Sequence, residues 1–348
     1  MIDFEVVDHP AAVLGEGPVW DYRTGRFLWV DAYSHGFYSL DGSSSGGGAP
    51  DGRSLGQAPK EAIHHHTGAF TIGLALYGRS GSACVVTEAD GFQVRFPADP
   101  HQTERDQPEV TPRTECPYYL LSQFGEAGGA AAGKAGRDSH RFNDVAVIPG
   151  GILLAGIMPW SPDPTPGALA GGALVGFDSR QQPHLVCSAV RLPNGIGYDP
   201  TRDVVYFTDS FRKTIYQIPR EVIQEIVRGS RPPISLADLP PAVVVFAAST
   251  DRPGVPDGLT VASDGSLFSA RWGGHCIDHY GPDGALVRSY PTPMRQPSSL
   301  CFGGEDLSRV MITSATENMP TDQPGPYDGA TILTDFGVRG LPETVLSW

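Results

Sequence analysis

The sequence has few of the features that would assign it to a membrane or nucleic-acid class. No apolar run approaches the ~20 residues that a membrane helix needs. Lysine and arginine total 25 against 39 aspartate and glutamate, which gives a formal net charge of −14. Nucleic acid and anionic membrane surfaces would repel such a chain, so neither is an expected partner. The first residues, Met-Ile-Asp-Phe-Glu, lack the basic and apolar regions of a signal peptide. We therefore expect a soluble, cytoplasmic protein.

Cysteine is also scarce. The five cysteines are odd in number, widely scattered and without a C-x-x-C pair, and they are Cys84, Cys116, Cys187, Cys276 and Cys301. This usage favours free thiols in a reducing compartment over a disulfide framework. No H-E-x-x-H motif, phosphate loop or dinucleotide fingerprint is present. Residues 42–46 match the pattern G-x-S-x-G, but no strand-to-helix turn surrounds them. We therefore interpret them as a flexible loop. Three consecutive histidines, His64–His66, cannot all face one ion, and we interpret them as a solvated strand edge.

Glycine and proline are abundant, at 43 and 32 residues, which indicates many turns and few long helices. A unit of short apolar strands joined by turns with Asp, Gly or Pro recurs about six times, and one such unit is too small to bury its own faces. Stacked units of this size predict an all-β, six-bladed β-propeller, with five or seven blades as the margin. A two-sheet sandwich is the alternative, but at this length it would need more than one domain. We predict one domain over 1–348, a loop insertion at about 97–138, and one helix at Arg220–Arg228.

Four polar residues lie just before predicted inner strands. Asp-Gly and Asn-Gly are common turn dipeptides, so each residue alone is compatible with a turn. Recurrence favours a site, because the junctions between loops and inner strands of a propeller converge on its central channel. Two carboxylates and two amides are hard oxygen ligands that suit a calcium-like cation. The four residues are Glu16 in Leu14–Pro18, Asn143 in Arg141–Asp144, Asn194 in Leu192–Ile196, and Asp257 in Val255–Val261.

With their neighbouring residues, these stretches resemble the senescence marker protein/regucalcin/gluconolactonase family of lactone hydrolases. The resemblance extends nearly end to end and includes Leu14-Gly15-Glu16-Gly17-Pro18-Val19-Trp20, Arg141-Phe142-Asn143-Asp144, Leu192-Pro193-Asn194-Gly195-Ile196, Pro256-Asp257-Gly258-Leu259, Arg271-Trp272-Gly273-Gly274, Cys301–Leu307 and Gly337–Glu343. Each piece is short, but the set is specific in this order and spacing.

The resemblance implies a six-bladed propeller with a divalent cation in the central channel. Glu16, Asn194 and Asp257 match the family's metal ligands. Asn143 matches a residue that contacts metal or substrate, and Arg141 matches one that contacts substrate. The family is also similar to diisopropyl fluorophosphatase, in which a similar Glu, Asn, Asn, Asp set holds calcium. We expect Ca²⁺, with Zn²⁺, Mg²⁺ or Mn²⁺ as alternatives.

One departure concerns specificity. Vertebrate sugar-lactone members have acidic residues just after the stretch that matches Ala155–Met158, whereas this chain has Pro159-Trp160-Ser161-Pro162. A substrate-contacting carboxylate is thus missing, and a bulky aromatic lies near its place. We expect Trp160 to contact substrate. Trp272 is a second candidate for an aromatic wall, with a plain core tryptophan as the alternative.

The expected reaction is metal-dependent opening of a small-molecule lactone, such as a sugar lactone or related cyclic ester. The cation polarises the carbonyl and a bound water. Asp257 is the predicted general base, and a nucleophilic role for it stays open. The alternatives are a phosphotriesterase of the diisopropyl fluorophosphatase type and a non-catalytic propeller that binds calcium or another ligand. The sequence leaves the native substrate and the oligomeric state open.

Overall fold

The computed structural model describes residues 2–42, 61–67, 69–78, 84–89, 91–95, 114–117, 140–168, 170–320 and 325–348. Strands in these residues form six sheets. The first strand of the chain is β1 (Glu5–Val6). The next four form one sheet in chain order, namely β2 (Gly15–Asp21), β3 (Arg26–Asp31), β4 (Gly36–Asp41) and β5 (Ile63–His66). A second sheet consists of β6 (Thr71–Leu76), β7 (Cys84–Glu88), β8 (Gly91–Arg95) and β9 (Thr114–Glu115).

The third sheet includes a strand from further along the chain. It consists of β10 (His140–Ile148), β11 (Ile152–Pro159), β12 (Gly172–Phe177), β13 (Pro183–Val190) and β17 (Ile234–Ser235). The fourth consists of β14 (Pro193–Asp199), β15 (Val204–Asp209), β16 (Thr214–Pro219) and β18 (Val244–Ala248). Between β16 and β17 lies the helix α1 (Arg220–Val227), which confirms the predicted helix.

The last two sheets complete the set. The fifth consists of β19 (Val255–Val261), β20 (Leu267–Trp272), β21 (Cys276–Tyr280) and β22 (Leu286–Pro291). The sixth consists of β23 (Pro297–Gly303), β24 (Arg309–Ser314), β25 (Ile332–Asp335) and the N-terminal β1. Because β1 pairs with β25, with Val6 opposite Ile332, the two ends of the chain share one sheet. This pairing closes the ring.

The inner strands β2, β6, β10, β14, β19 and β23 contact one another in a closed ring, which makes the six-bladed propeller prediction correct. Each blade packs on its neighbours through apolar side chains of its middle strands, so β3 is buried on both faces, with Phe27 and Trp29 on one face and Leu28 on the other. Complete burial of an aromatic or large aliphatic side chain stabilises the fold by ~1.5–3 kcal/mol. Packing between blades therefore replaces the single core that one blade cannot form.

Every inner strand has a β-bulge near its start. The pairing register with the second strand of the blade shifts between Glu16 and Val19, Thr71 and Gly73, Phe142 and Val145, Asn194 and Ile196, Pro256 and Leu259, and Pro297 and Leu300. A bulge places extra residues on one strand and redirects their side chains. We predicted the polar site residues in loops before the strands, and this was wrong in detail, because they lie inside the strands at these bulges. The Asp257-Gly258 pair is likewise part of β19 and not a turn.

The C-terminal segment covers one end of the channel. Gly340 pairs with Ala262 of the fifth blade, and Leu346 pairs with Tyr77 after β6. The indole of Trp348 donates to the carbonyl of Gly151 at 2.7 Å. The segment therefore crosses from the fifth blade to the third and seals the end at which the inner strands finish.

Other expectations fall partly outside the described residues. All five cysteines are buried thiols, as predicted. The histidines His64–His66 lie on the outer strand β5, which agrees with their interpretation as a strand edge. Within the predicted insertion at 97–138, Thr114–Glu115 pair with β8 as the outer strand of the second blade, and residues 97–113 and 118–138 lie outside the description. The segment 43–48 lies outside it as well. Among the described residues, no helix has the length and apolarity to span a membrane.

Candidate metal and active site

The four predicted ligands come from four blades, and each lies near the start of an inner strand. Glu16 lies at the bulge of β2, Asn143 at that of β10, Asn194 at that of β14 and Asp257 at that of β19. The amide nitrogen of Asn143 donates to the amide oxygen of Asn194 at 2.6 Å and to the carbonyl of Pro193 at 2.8 Å. Burial raises the pKa of Glu16, and the charge of Asp257 raises it further, so the two carboxylates interact.

A chain of hydrogen bonds orients the two amides. Arg141 donates from Nη1 to Asn143 Oδ1 at 2.7 Å, and Asn143 donates to Asn194 as described. Asn194 in turn donates from Nδ2 to the hydroxyl of Ser210 at 3.0 Å. Each amide therefore has its nitrogen committed to a protein acceptor, and the oxygen of Asn194 faces the neighbouring amide of Asn143. Asn143 links the arginine to the candidate ligands.

The two carboxylates are buried and poorly compensated. Asp257 is 3% exposed, and among the described residues its Oδ1 has no hydrogen-bond partner. Glu16 Oε2 accepts a long bond from the Gly17 amide at 3.3 Å. Burial raises the pKa of both groups, and the charge of Asp144 raises both further. An unpaired buried carboxylate is costly, so this arrangement calls for a positive partner.

A hard divalent cation fits these residues. The donors are two carboxylates and amide oxygen, the oxygen set that Ca²⁺ and Mg²⁺ prefer. The unpartnered Asp257 Oδ1 is the atom that such an ion would satisfy. Over the described parts of the chain, no three or more His, Cys, Asp or Glu side chains are grouped as a metal site. The candidate set differs from such a group because half of it consists of asparagines.

Two acidic residues that sequence reasoning missed lie below the candidate ligands. Asp144 and Glu343 line an internal cavity of about 100 Å³ between the inner strands and the C-terminal segment. Burial raises the pKa of Asp144 to about 6, although its Oδ1 accepts from the Val145 amide at 2.7 Å. Burial and the charge of Asp144 raise the pKa of Glu343 to about 7. The signal for Asp144 was its place next to Asn143, whereas nothing in the tail sequence indicated that Glu343 enters the channel.

Aromatic side chains surround Arg141 at the end where the inner strands begin. The guanidinium carbon lies 5.8 Å from the ring centre of Phe70 and 5.6 Å from that of Trp160, and the two rings meet edge to face at 5.2 Å. We call the region formed by Phe70, Arg141 and Trp160 the channel mouth. Arg141 is only 8% exposed, and in the described structure no carboxylate forms an ion pair with it. A buried cation without a protein anion suits a polar oxygen of a ligand.

The two predicted aromatic contacts differ in their surroundings. Trp160 is 42% exposed beside Arg141, so it is available to a ligand. Trp272 packs against the small cluster of Leu14, Ala32 and Ala315, which is closer to the core alternative. Phe70 packs against the same cluster and contacts Arg141, yet its sequence context gave no sign of this position.

Comparisons with known proteins agree with this architecture. The chain is 31% identical over 336 residues to pentonolactonase XacC of Haloferax volcanii, with 95% of this chain and 93% of that protein covered. It is 27% identical to 6-deoxy-6-sulfogluconolactonase of Pseudomonas putida, over 98% and 97% of the two chains. The calcium-binding regucalcin of Agrobacterium tumefaciens has a similar fold, with a TM-score of 0.74, 22% identity, and coverage of 99% and 97%. Residues 14–316 match the model of the SMP-30/gluconolactonase/LRE-like region. The chain therefore belongs to the SMP-30/gluconolactonase/LRE-like family.

Proposed function

We propose that this protein hydrolyses lactones at the channel mouth, with a divalent cation held by Glu16, Asn194 and Asp257 and with Asn143 beside it. The observation that supports this most directly is the buried Asp257 carboxylate, which has an oxygen without a hydrogen bond and lies near a second buried carboxylate. Such a group favours a bound cation or a proton-accepting role. Arg141, which is hydrogen-bonded to Asn143, offers further donors to a ligand.

Each residue has a defined task in this proposal. A bound divalent cation would polarise the ester carbonyl and make a water more acidic. The Asp257 carboxylate, of which one oxygen has no protein donor, accepts the proton of the attacking water. When the ester bond breaks, the ring oxygen leaves as a hydroxyl and takes up that proton. Arg141 donates to a substrate oxygen, and the Asn143 amide holds the guanidinium in place.

The substrate class follows from the relatives and from the mouth. Relatives are named as a pentonolactonase and a 6-deoxy-6-sulfogluconolactonase, which supports a sugar-derived lactone. The rings of Phe70 and Trp160 offer flat apolar surface for the carbon skeleton of a sugar ring, and Arg141 offers donors for its oxygens. A phosphotriester would use the same centre, so organophosphate turnover is a comparison in the test.

The first test is hydrolysis of sugar lactones by purified protein, followed with a pH indicator after treatment with a chelator. Calcium, zinc, magnesium or manganese is then added back singly, and diisopropyl fluorophosphate serves as the organophosphate. We expect chelation to remove most turnover and at least one ion to restore it. Measurable cation binding without turnover of any lactone would overturn the proposal, and turnover of the organophosphate alone would replace it.

Replacement of Glu16 with glutamine tests the cation set itself. The change removes one negative charge from the ligands and keeps the shape, so we expect half-maximal activation to need roughly 10–100-fold more cation, because ligand charge tunes affinity. Maximal turnover at saturating cation should largely recover. The measurement is activity against free cation concentration. The matched control is Glu305→Gln, at an exposed glutamate after β23. An unchanged activation midpoint would reject Glu16 as a ligand.

A further inference from the structure

A glutamate from the sixth blade reaches the channel mouth. Glu317 follows β24 in a turn, and its backbone is held from two sides. Its amide donates to the carbonyl of Val13 at 2.9 Å, and its carbonyl accepts from Gln296 Nε2 at 3.0 Å. With the main chain fixed in this way, the direction of the side chain is restricted. The Glu317 carboxylate is thus presented at a defined place.

A tyrosine from the first blade holds that carboxylate. Tyr33 donates its hydroxyl to Glu317 Oε1 at 2.6 Å. Its ring meets Phe70 edge to face at 5.0 Å, and Phe70 contacts Arg141. Tyr33 is 45% exposed, so the pair lies where a ligand can reach it. Within the described residues, Oε2 of Glu317 has no hydrogen bond and remains available as an acceptor.

The charge of Glu317 acts on two groups of the proposed site. Burial is the main cause that raises the pKa of Asp257, and Glu317 adds to it, while burial lowers the pKa of Arg141 and Glu317 opposes that change. The mouth therefore offers a donor in Arg141 and an acceptor in Glu317, with Phe70 between them. A neutral ring with several hydroxyl groups satisfies both, since each hydroxyl can donate or accept. A substituent with negative charge near Glu317 would meet repulsion at low dielectric.

We propose that Glu317, held in place by Tyr33, determines specificity by accepting a hydrogen bond from a hydroxyl of a neutral polyhydroxylated lactone, and disfavours lactones with an anionic substituent. The inference rests on the proposed lactonase function. It also gives a replacement for the substrate-contacting carboxylate that is missing after Met158, where the chain has Pro159 and Trp160. Glu317 supplies an acidic contact from a different blade. Tyr33 acts as a positioning residue, and Glu317 as a residue that touches substrate.

The test compares three six-membered lactones that differ in the groups they can present to Glu317. D-Glucono-1,5-lactone is neutral and hydroxylated, 6-phospho-D-glucono-1,5-lactone has an anionic group, and δ-valerolactone has no hydroxyls. Wild type, Glu317→Gln, Tyr33→Phe and the control Glu305→Gln are assayed with saturating cation, after subtraction of spontaneous ring opening. Thermal unfolding is recorded for each variant.

For Glu317→Gln we expect kcat/KM on the neutral sugar lactone to fall roughly 10–100-fold, the effect of losing a hydrogen bond to a charged group. On the phosphorylated lactone kcat/KM should rise roughly several-fold, because the negative charge of Glu317 no longer repels the phosphate. On δ-valerolactone it should stay within about twofold, since no hydroxyl is present. Tyr33→Phe should change the same ratios in the same directions by a smaller factor, mainly through KM. Opposite changes on two substrates are not produced by a general structural defect.

Three results would overturn the inference. Equal losses on all three substrates in Glu317→Gln would show a structural role, with lactonase function intact. Unchanged kinetics in both Glu317→Gln and Tyr33→Phe would show that neither residue meets the substrate. If wild type opens no lactone at all, the proposed function fails and the specificity role fails with it, and this outcome is distinguishable because it appears without any variant.

Discussion

Replacement of Asp257 with asparagine is expected to lower lactone turnover by roughly a thousandfold, because a positioned general base contributes about 10²–10⁴-fold. The Asp257 carboxylate is also a proposed cation ligand. Asparagine keeps the size of the side chain but accepts no proton at Oδ1. The neighbouring Glu16 does not replace it, since it belongs to a different blade and a different bulge. The measurement is turnover at saturating cation. Retained turnover would remove Asp257 from the role of base.

Thermal unfolding separates this chemical loss from a loss of structure. Asp257 is buried with one unpartnered oxygen, so without a cation the Asp257→Asn protein should be as stable as wild type or more stable. A saturating cation should stabilise wild type and stabilise the variant much less, because a ligand stabilises only the state that binds it. Asp238→Asn, at an exposed aspartate in the loop before β18, is the control. A variant that unfolds at lower temperature without cation would contradict this account of the site.

The sequence was sufficient for the fold because each blade repeats the same local pattern. Short apolar strands separated by turn residues occur about six times, and a repeat too small to fold alone must stack. The pairing of β1 with β25 was not predicted, because a two-residue strand such as Glu5–Val6 has no periodicity to detect. Ring closure depends on contacts between the two ends of the chain, which local patterns do not report.

The candidate ligands were predictable, but the reason for their position was not. Asp257-Gly258 has the letters of a turn, yet the glycine is needed because the neighbouring inner strand approaches closely. A Cβ on Gly258 would lie 2.1 Å from the hydroxyl oxygen of Ser299. In the same way, a Cβ on Gly195 would lie 2.5 Å from the carbonyl oxygen of Asp257. The glycines of these dipeptides are therefore required by the packing of inner strands around a bulge. This packing positions the polar residues that precede them.

Site residues that are far apart in sequence and meet only between neighbouring blades could not be predicted. Tyr33 and Glu317 are separated by 284 positions and meet only after the ring has closed. Neither lies in a repeated motif, and a tyrosine in Ala32–Ser34 or a glutamate in a turn has an ordinary surface interpretation. Pairing of this kind can be recognised only in the three-dimensional structure. The identities of the polar groups at the bulges, by contrast, recur in sequence and could be recognised as a set.

A buried ion cluster next to β19 explains another of the recognised stretches, Arg271–Gly274. Asp278 and Arg271 are each 1% exposed, and Oδ2 of Asp278 accepts from Arg271 Nη1 at 3.3 Å and from Arg252 Nη1. Arg271 also donates from Nε to the carbonyl of Pro253 at 2.6 Å and from Nη1 to the hydroxyl of Ser249 at 3.0 Å. The arginine therefore fixes the loop that leads from β18 into β19, the strand that contains Asp257.

Asp278→Asn should lower the free energy of unfolding by about 3–5 kcal/mol, because removal of one partner of a buried ion pair leaves an uncompensated charge in the interior. Urea unfolding followed by fluorescence measures it. Ser289→Ala is the matched comparison, since Ser289 donates to Oδ1 of the same carboxylate at 2.7 Å, and it should cost only about 1 kcal/mol. If Asp278→Asn lost no more than Ser289→Ala, the charge would be dispensable. The loop before Asp257 would then be held by its other hydrogen bonds, which include those of Arg271 to the Pro253 carbonyl and the Ser249 hydroxyl.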